Sequence, residues 1–276
     1  MPIITLTTDY GLRDPYAGQL KGVLLSACPT AQLVDLTHLI EPYDLVSAAF
    51  HLAHTWANFP KGTIHVCTVR AHGDFRTPFL CFAHRGHTFI LPDNGLPFLL
   101  FSELDERSIV RLPQGADGRA SAKSIVADAV AQLSLGLDPR RIGIQARDLL
   151  QVRRPEPVVR SSLVRGAILH IDNYGNAVLN IHRDLVERHA RGRRIVTRFS
   201  PVDAIDGIVE HYTDVEEGEP LARYNARGYL EIAINMGRIA QLYGLEPEQL
   251  VHLEFEGEVS ADQHSLSVSS QPPAST

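Results

Sequence analysis

Four short stretches concentrate residues able to do chemistry. The sharpest is TTDYGLRDPYAGQLKG, from Thr7 to Gly22, where an apolar strand delivers two carboxylates, Asp9 and Asp14, onto a glycine-punctuated turn ahead of a helix. Such a turn is the ligand-facing end of an α/β sheet. A carboxylate there accepts hydrogen bonds from the vicinal hydroxyls of a ribose while a second holds a ligand cation. An Asx-turn followed by a helix N-cap employs the same residues with no ligand at all. The second stretch, HIDNYGNAVLNI from His170 to Ile181, crowds Asp172, Asn173, Asn176 and Asn180 into an otherwise apolar run. Buried polar groups are costly unless satisfied. A purine edge, which an Asn reads by donating and accepting together, would satisfy them, and so would a hairpin turn at Tyr174-Gly175-Asn176.

In NARGYLEIAINMG, Arg227 precedes Gly228 at a turn suited to bidentate capture of a carboxylate, and Asn235 follows. VRAHGDFRTP, from Val69 to Pro78, spaces Arg70, His72, Asp74 and Arg76 two apart. A strand would put all four on one face, whereas Gly73 and Pro78 favour a loop, so the set is either a water-activating cluster or a solvated tip. The pairs His51/His54 and His84/His87 have i, i+3 spacing without a Cys, Asp or Glu to complete a tetrahedral set, so no metal is expected. Nucleophile-elbow, phosphate-loop, zinc-protease and dinucleotide-turn motifs are all missing from the sequence.

The elements that must position these residues alternate. Strands are expected at IITLTT from Ile3, QLVDL from Gln32, TIHVCTV from Thr63, FLCFAH from Phe79, HTFIL from His87 and SIVRL from Ser108. Helical periodicity marks AGQLKGVLLSA from Ala17, YDLVSAAFHLAHTWANF from Tyr43 and SAKSIVADAVAQLSLGL, which Gly136 stops. The pattern predicts an α/β domain over 1–150 with an at least partly parallel sheet. A Pro- and Arg-rich linker is expected over 151–163, then a small barrel or sandwich of short strands over 164–257, and a disordered tail over 258–276.

Composition narrows the class. The chain has 276 residues, 44% apolar and 21% charged, enough for one large domain or two ordinary ones. A net charge of −6 argues against nucleic acid as partner, and no apolar stretch reaches the about 18 residues that span a bilayer. The opening MPIITLTTDYG reads as a strand entering a loop rather than a signal sequence, so a cytoplasmic location is expected. Cys28, Cys67 and Cys81 lack CxxC spacing and are expected to be reduced core residues.

Taken together, TLTTDYGLRDPYAGQLKG, FPKGTIHV, PDNGLPFLL, IDNYGNAVLNI and ARGYLEIAINMG, in that order, resemble the S-adenosyl-L-methionine (SAM) hydroxide adenosyltransferases, the SAM hydrolases related to the fluorinases and chlorinases. The resemblance runs to about residue 257. It implies a Rossmann-like N-terminal α/β domain, a C-terminal β-barrel, and a homotrimer whose SAM site lies between the first domain of one subunit and the second of the next. SAM is then the substrate, with no further cofactor. On the matching motifs, Asp9 meets the ribose diol, Asp14 and Asp172 surround the methionine ammonium, and Arg227 meets the methionine carboxylate. Tyr174 and Tyr212 flank the adenine, Asn176 and Asn235 contact it, and Tyr43 packs near the ribose. Ala226 replaces a serine that helps bind the carboxylate.

The resemblance also implies in-line displacement at the ribose C5′. The departing methionine is a neutral thioether, so catalysis reduces to orientation, desolvation and supply of a nucleophile. In the hydrolases an Asp–Arg–His set supplies water. Here Arg70 stands at the Asp position and about Ser121 at the His position, and Arg76 alone is retained. His72 becomes the expected replacement base, oriented by Asp74. The expected reaction gives adenosine and L-methionine. The alternatives are a catalytically silent binder of SAM or adenosine, or a family member using another nucleophile.

Overall fold

In the computed structural model, which describes residues 1–71, 77–115 and 120–257, the alternating run Ile3–Thr7 forms strand β1. Its Ile4 and Leu6 pack on one side of a sheet, while Thr5 on the other side meets His65, Thr5 Oγ1 lying 2.8 Å from His65 Nδ1. The chain divides into two compact units, Met1–Arg154 and Pro155–Thr276.

The first unit contains β1, α1 (Tyr16–Ala27), β2 (Gln32–Thr37), α2 (Leu45–Thr55), β3 (Ile64–Cys67), β4 (Phe79–His84), β5 (His87–Pro92), α3 (Leu96–Leu100), β6 (Val110–Arg111), α4 (Ala122–Ser134) and β7 (Ile144–Gln145). Its strands lie in the order β2-β1-β3-β5-β4-β6-β7. The pairs β1/β2, β1/β3 and β3/β5 are parallel, and the remaining pairs antiparallel. Apolar side chains cover both faces. Leu20 and Leu24 of α1 with Ile125, Val126 and Val130 of α4 fill one side, and Leu45 and Leu52 of α2 with Leu96 and Leu99 of α3 fill the other. This is the Rossmann-like arrangement expected. Gly136 does end α4, adopting φ 83°, a left-handed geometry that glycine takes without steric penalty.

The second unit contains β8 (Val158–Arg160), β9 (Leu163–Ile171), β10 (Ala177–His182), α5 (Arg183–Ala190), β11 (Arg194–Arg198), β12 (Ala204–Asp206), β13 (Pro220–Tyr224), β14 (Tyr229–Ile234), α6 (Ile239–Tyr243) and β15 (Leu250–Glu256). Its antiparallel sheet runs β12-β11-β15-β9-β10-β14-β13, with β8 beside β9. The path nearly closes into a barrel, because the Val209 N–H just beyond β12 donates to the Ala222 carbonyl of β13 at 2.8 Å. Val164, Ile168, Leu179, Leu230, Ile232 and Leu253 fill the interior. The stretch expected to be a linker, 151–163, is in part strand: β8 pairs Val158 with Arg165 and Arg160 with Leu163.

All three cysteines are buried free thiols. Burial pushes Cys67 and Cys81 up to about 12, which makes them inert packing groups. Among the described residues no helix is long and apolar enough to cross a membrane. The tail 258–276 lies outside the described residues.

Candidate active site

Strands β2, β1 and β3 are parallel neighbours, so their carboxyl ends reach the same edge of the sheet. The segments leaving them line a cleft of about 900 Å³. Asp9 and Asp14 come from the turn after β1, His38 and Tyr43 from the turn after β2, and Arg70 from the exit of β3, while Ser121 and Lys123 approach from the start of α4. This is the position at which open α/β sheets bind ligands.

Asp9 is the hub of the cleft. Its Oδ2 accepts the backbone N–H of Tyr43 at 3.2 Å and that of Arg70 at 3.1 Å, groups 34 and 61 residues further along the chain. Both donors are non-glycine residues in the left-handed region, with φ 71° and 51°. Such a conformation costs about 1–2 kcal/mol, and the carboxylate offsets it. Asn94, buried in the PDNG turn, donates to the Val69 carbonyl at 3.0 Å and so fixes the stem of Arg70. Neither bond to Asp9 uses Oδ1. Asp14 is exposed on the cleft wall, and α1 is capped by Pro15 without a side-chain bond, so Asp14 is not a helix cap. The Asx-turn and N-cap reading of these two carboxylates does not hold.

His38 and Lys123, both on the cleft, carried no sequence signal as site residues. His38 is buried, its Nδ1 2.8 Å from Thr8 Oγ1 and its Nε2 3.0 Å from Asp35 Oδ1. Burial works to raise the Asp35 carboxyl, but Lys21, at 2.6 Å, and His38 outweigh it and hold the group below the ordinary carboxylate range. Lys123 Nζ sits 5.1 Å from the Tyr16 ring centre and 5.8 Å from that of Tyr10, and donates to Gln19 Oε1 at 2.5 Å. Ser121 caps α4, its Oγ accepting the Ser124 N–H at 3.2 Å. His72, Asp74 and Arg76, the expected base, its orienting acid and the retained cation, lie outside the described residues.

The remaining expected residues belong to the second unit. Asp172 holds the β9–β10 turn: Oδ1 accepts the N–H groups of Tyr174 at 2.8 Å and Asn176 at 2.9 Å, and Oδ2 accepts from Asn176 Nδ2 at 3.0 Å. Gly175 is left-handed there, φ 81°, and Gln241 Oε1 crowds the place where a Cβ would stand. The hairpin reading of this stretch is therefore realised, with Tyr174 exposed at its tip. Asn180 is consumed by the strands, accepting from the Ala167 N–H at 2.8 Å and donating to the Pro155 carbonyl at 2.9 Å. Asn235 Nδ2 donates to the Val215 carbonyl at 2.9 Å. Arg227 rises from the β13–β14 turn, whose backbone is held by Asn225 Oδ1 and by His182, its Nε2 donating to the Arg227 carbonyl at 3.1 Å. Ala177, next to the Asp172 turn, faces Ile232, while Tyr229, next to the Arg227 turn, lies three residues further back on β14, so Arg227 and the Asp172 turn are more than roughly 10 Å of strand apart. A ligand touching both must be extended.

The histidine pairs are packing groups. His84 and His87 face each other across the β4–β5 hairpin and lie 5.6 and 5.1 Å from the Trp56 ring, and His54 lies 4.0 Å from Phe50. Among the described residues no group of three or more His, Cys, Asp or Glu is placed to hold a metal ion.

Comparison with known proteins gives the family. Residues 4–143 match the SAM hydroxide adenosyltransferase N-terminal domain and residues 166–252 its C-terminal domain. A Thermus thermophilus protein named (R)-S-adenosyl-L-methionine hydrolase is 30% identical over 263 residues, covering 89% of this chain and 97% of its own length. A fluorinase from an Actinoplanes species is 26% identical, with 89% and 95% covered. The crystal structure of an uncharacterized conserved protein from Thermotoga maritima superposes with a TM-score of 0.75 at 25% identity, over 91% of this chain and 99% of that one. With both domains matched in order and the cleft at the carboxyl ends of β1, β2 and β3, the chain belongs to the SAM hydroxide adenosyltransferase family.

Proposed function

We propose that the protein binds S-adenosyl-L-methionine and displaces methionine from the ribose C5′, with water as nucleophile, to give adenosine and L-methionine. The C5′–S bond breaks with its electron pair leaving on sulfur, the C5′–O bond forms, and the water gives up a proton. The observation that carries this reading is the Asp9 hub. A carboxylate anchored through Oδ2 at the carboxyl end of β1, with neither of these bonds on Oδ1, suits a ribose diol in a cleft of about 900 Å³. Asp14, exposed on the same cleft, offers a counter-charge to the ammonium or sulfonium of the substrate.

His72 is the proposed base, with Asp74 to orient it and Arg76 as the retained cation. SAM is taken as substrate, without a further cofactor, in the cytoplasm and in a homotrimer. In that assembly the cleft of one subunit meets the second unit of its neighbour, which supplies Asp172, Tyr174, Asn176, Tyr212, Arg227 and Asn235. The apolar rim of the cleft supports assembly: Leu39 is 67% exposed and Tyr43 63%. One observation favours the silent binder instead. Ser121, at the position of the family histidine, has its hydroxyl committed to capping α4, 2.8 Å from Ser124 Oγ, and is itself no base.

Incubation with the (R) and (S) sulfonium epimers of SAM, followed by chromatography for adenosine and methionine, tests the reaction. Equimolar release above background is expected, and bound SAM without turnover leaves the silent binder. Light scattering tests the trimer, and a monomer that binds SAM tightly would contradict the shared site.

A further inference from the structure

A buried carboxylate outside the expected site residues lies on the ligand-bearing face of the second unit. Leu230, Ile232 and Ile234 of β14 enter the core, so Glu231, Ala233 and Asn235 point the other way. Register places Val178 of β10 and Arg223 of β13 beside Glu231, and His170 beside Val178. Two-residue alternation from these positions puts Asp172 and Asn176 on the same face as Glu231 and Asn235.

An acid on that face would ordinarily meet water, yet Glu231 is only 5% exposed. The short helical turn Tyr212–Asp214 covers it. Tyr212 donates its hydroxyl to Glu231 Oε1 at 2.6 Å. The Arg223 guanidinium lies 4.4 Å from the centre of the Tyr212 ring, with its Nη1 4.0 Å from the same carboxylate oxygen. The turn itself is locked by Asp214, whose Oδ2 accepts the backbone N–H groups of Glu210 at 3.1 Å and His211 at 2.9 Å. Tyr212 is therefore held at its hydroxyl and on one ring face. The ring stays half-buried.

We propose that Glu231 and Arg223 are positioning residues that hold Tyr212 as a one-sided stacking platform for the purine ring of the substrate. A ring already fixed by a hydrogen bond and a cation loses little rotamer freedom when a base stacks on it, so the gain from stacking reaches the ligand undiminished. Both positioning groups are needed. The carboxylate holds the hydroxyl and supplies the counter-charge that keeps the guanidinium over the ring. The inference rests on the adenosyl reading of the site.

Calorimetry with adenosine and, separately, with L-methionine tests it on the full-length protein. Glu231→Leu should weaken adenosine about tenfold and leave methionine unchanged, the scale of a lost hydrogen bond to a charged group. Glu231→Gln, which still accepts from Tyr212, should recover most of the loss. Tyr212→Phe keeps the ring and the sheet face intact, and reads the same bond at about threefold should Glu231→Leu not fold. Wild-type adenosine affinity in folded Glu231→Leu or in Tyr212→Phe would overturn the platform, as would equal losses for the two ligands. A wild-type protein that takes up methionine but no adenosine would overturn the adenosyl reading itself, and the platform with it.

Discussion

Replacing Asp9 by Asn and by Ala separates two tasks that one carboxylate performs. Asn retains an oxygen that can accept from Tyr43 and Arg70, but it turns an NH₂ toward the ligand where Oδ1 stood. Ribose hydroxyls cannot donate to that group. Adenosine affinity should therefore fall by about 1.5–3 kcal/mol, the range for hydrogen bonds to a charged partner, which is roughly ten- to 150-fold. Ala removes the hub as well. At 3.1 and 3.2 Å the two bonds are longer than the roughly 2.7–2.9 Å of the strongest charge-assisted pairs, and they lie near solvent, so the low end of the range applies. Together they contribute roughly 3 kcal/mol, while release of two left-handed residues returns about 2 kcal/mol. The net loss of about 1 kcal/mol corresponds to roughly 2–4 °C in Tm for a unit of this size. Calorimetry gives the affinity and scanning fluorimetry the Tm. Asp9→Asn with wild-type adenosine affinity would falsify the diol contact, and Asp9→Ala melting with wild type would remove the hub.

His72→Ala should cost roughly 10²–10⁴ in rate while leaving SAM affinity nearly intact, and wild-type activity should rise through a pKa of about 6.5. An unchanged rate assigns His72 to the surface. His65, buried between Thr5 and His87, is pushed down to about 3, by burial first and by the neighbouring imidazole second. The folded state keeps it neutral while the unfolded chain gains a proton below about 6.5. Stability should thus be flat above that pH and fall by about 1.4 kcal/mol per unit below it, down to about 3. Urea melts at pH 7, 6 and 5 read the slope, and a constant midpoint would mean that His65 titrates normally in the fold. Gly228 has φ 79°, and a Cβ there would lie 2.6 Å from His182 Nε2, the atom that holds the Arg227 carbonyl. Gly228→Ala should destabilise by about 1–3 kcal/mol and weaken methionine more than adenosine. Equal effects on both ligands would detach Arg227 from the carboxylate.

Local periodicity makes most elements legible in the sequence itself. Each of the six strands and three helices expected in the first unit is present, because alternation of two and spacing of three to four are set by neighbours in the chain. The Asp172–Asn176 turn is equally legible, since a carboxylate followed by Asn-Tyr-Gly-Asn satisfies its own backbone. What composition hides is pairing. A Pro- and Arg-rich segment reads as a linker, yet Val158–Arg160 becomes β8 because β9 offers it an open edge. Asp9 shows the same limit at the site. Its type and place after β1 are visible in the chain, but its role as anchor for Tyr43 and Arg70 exists only because parallel register brings the exits of β2 and β3 beside it. Glu231 is the sharpest case. In GYLEIAIN an acid between Leu and Ile reads as a solvent-facing strand residue, which local alternation requires. Only the return of Tyr212 across that face, 19 residues earlier in the chain, makes it a buried acceptor. Spacing along the chain determines which way a side chain points, and the closure of distant loops determines what it meets there.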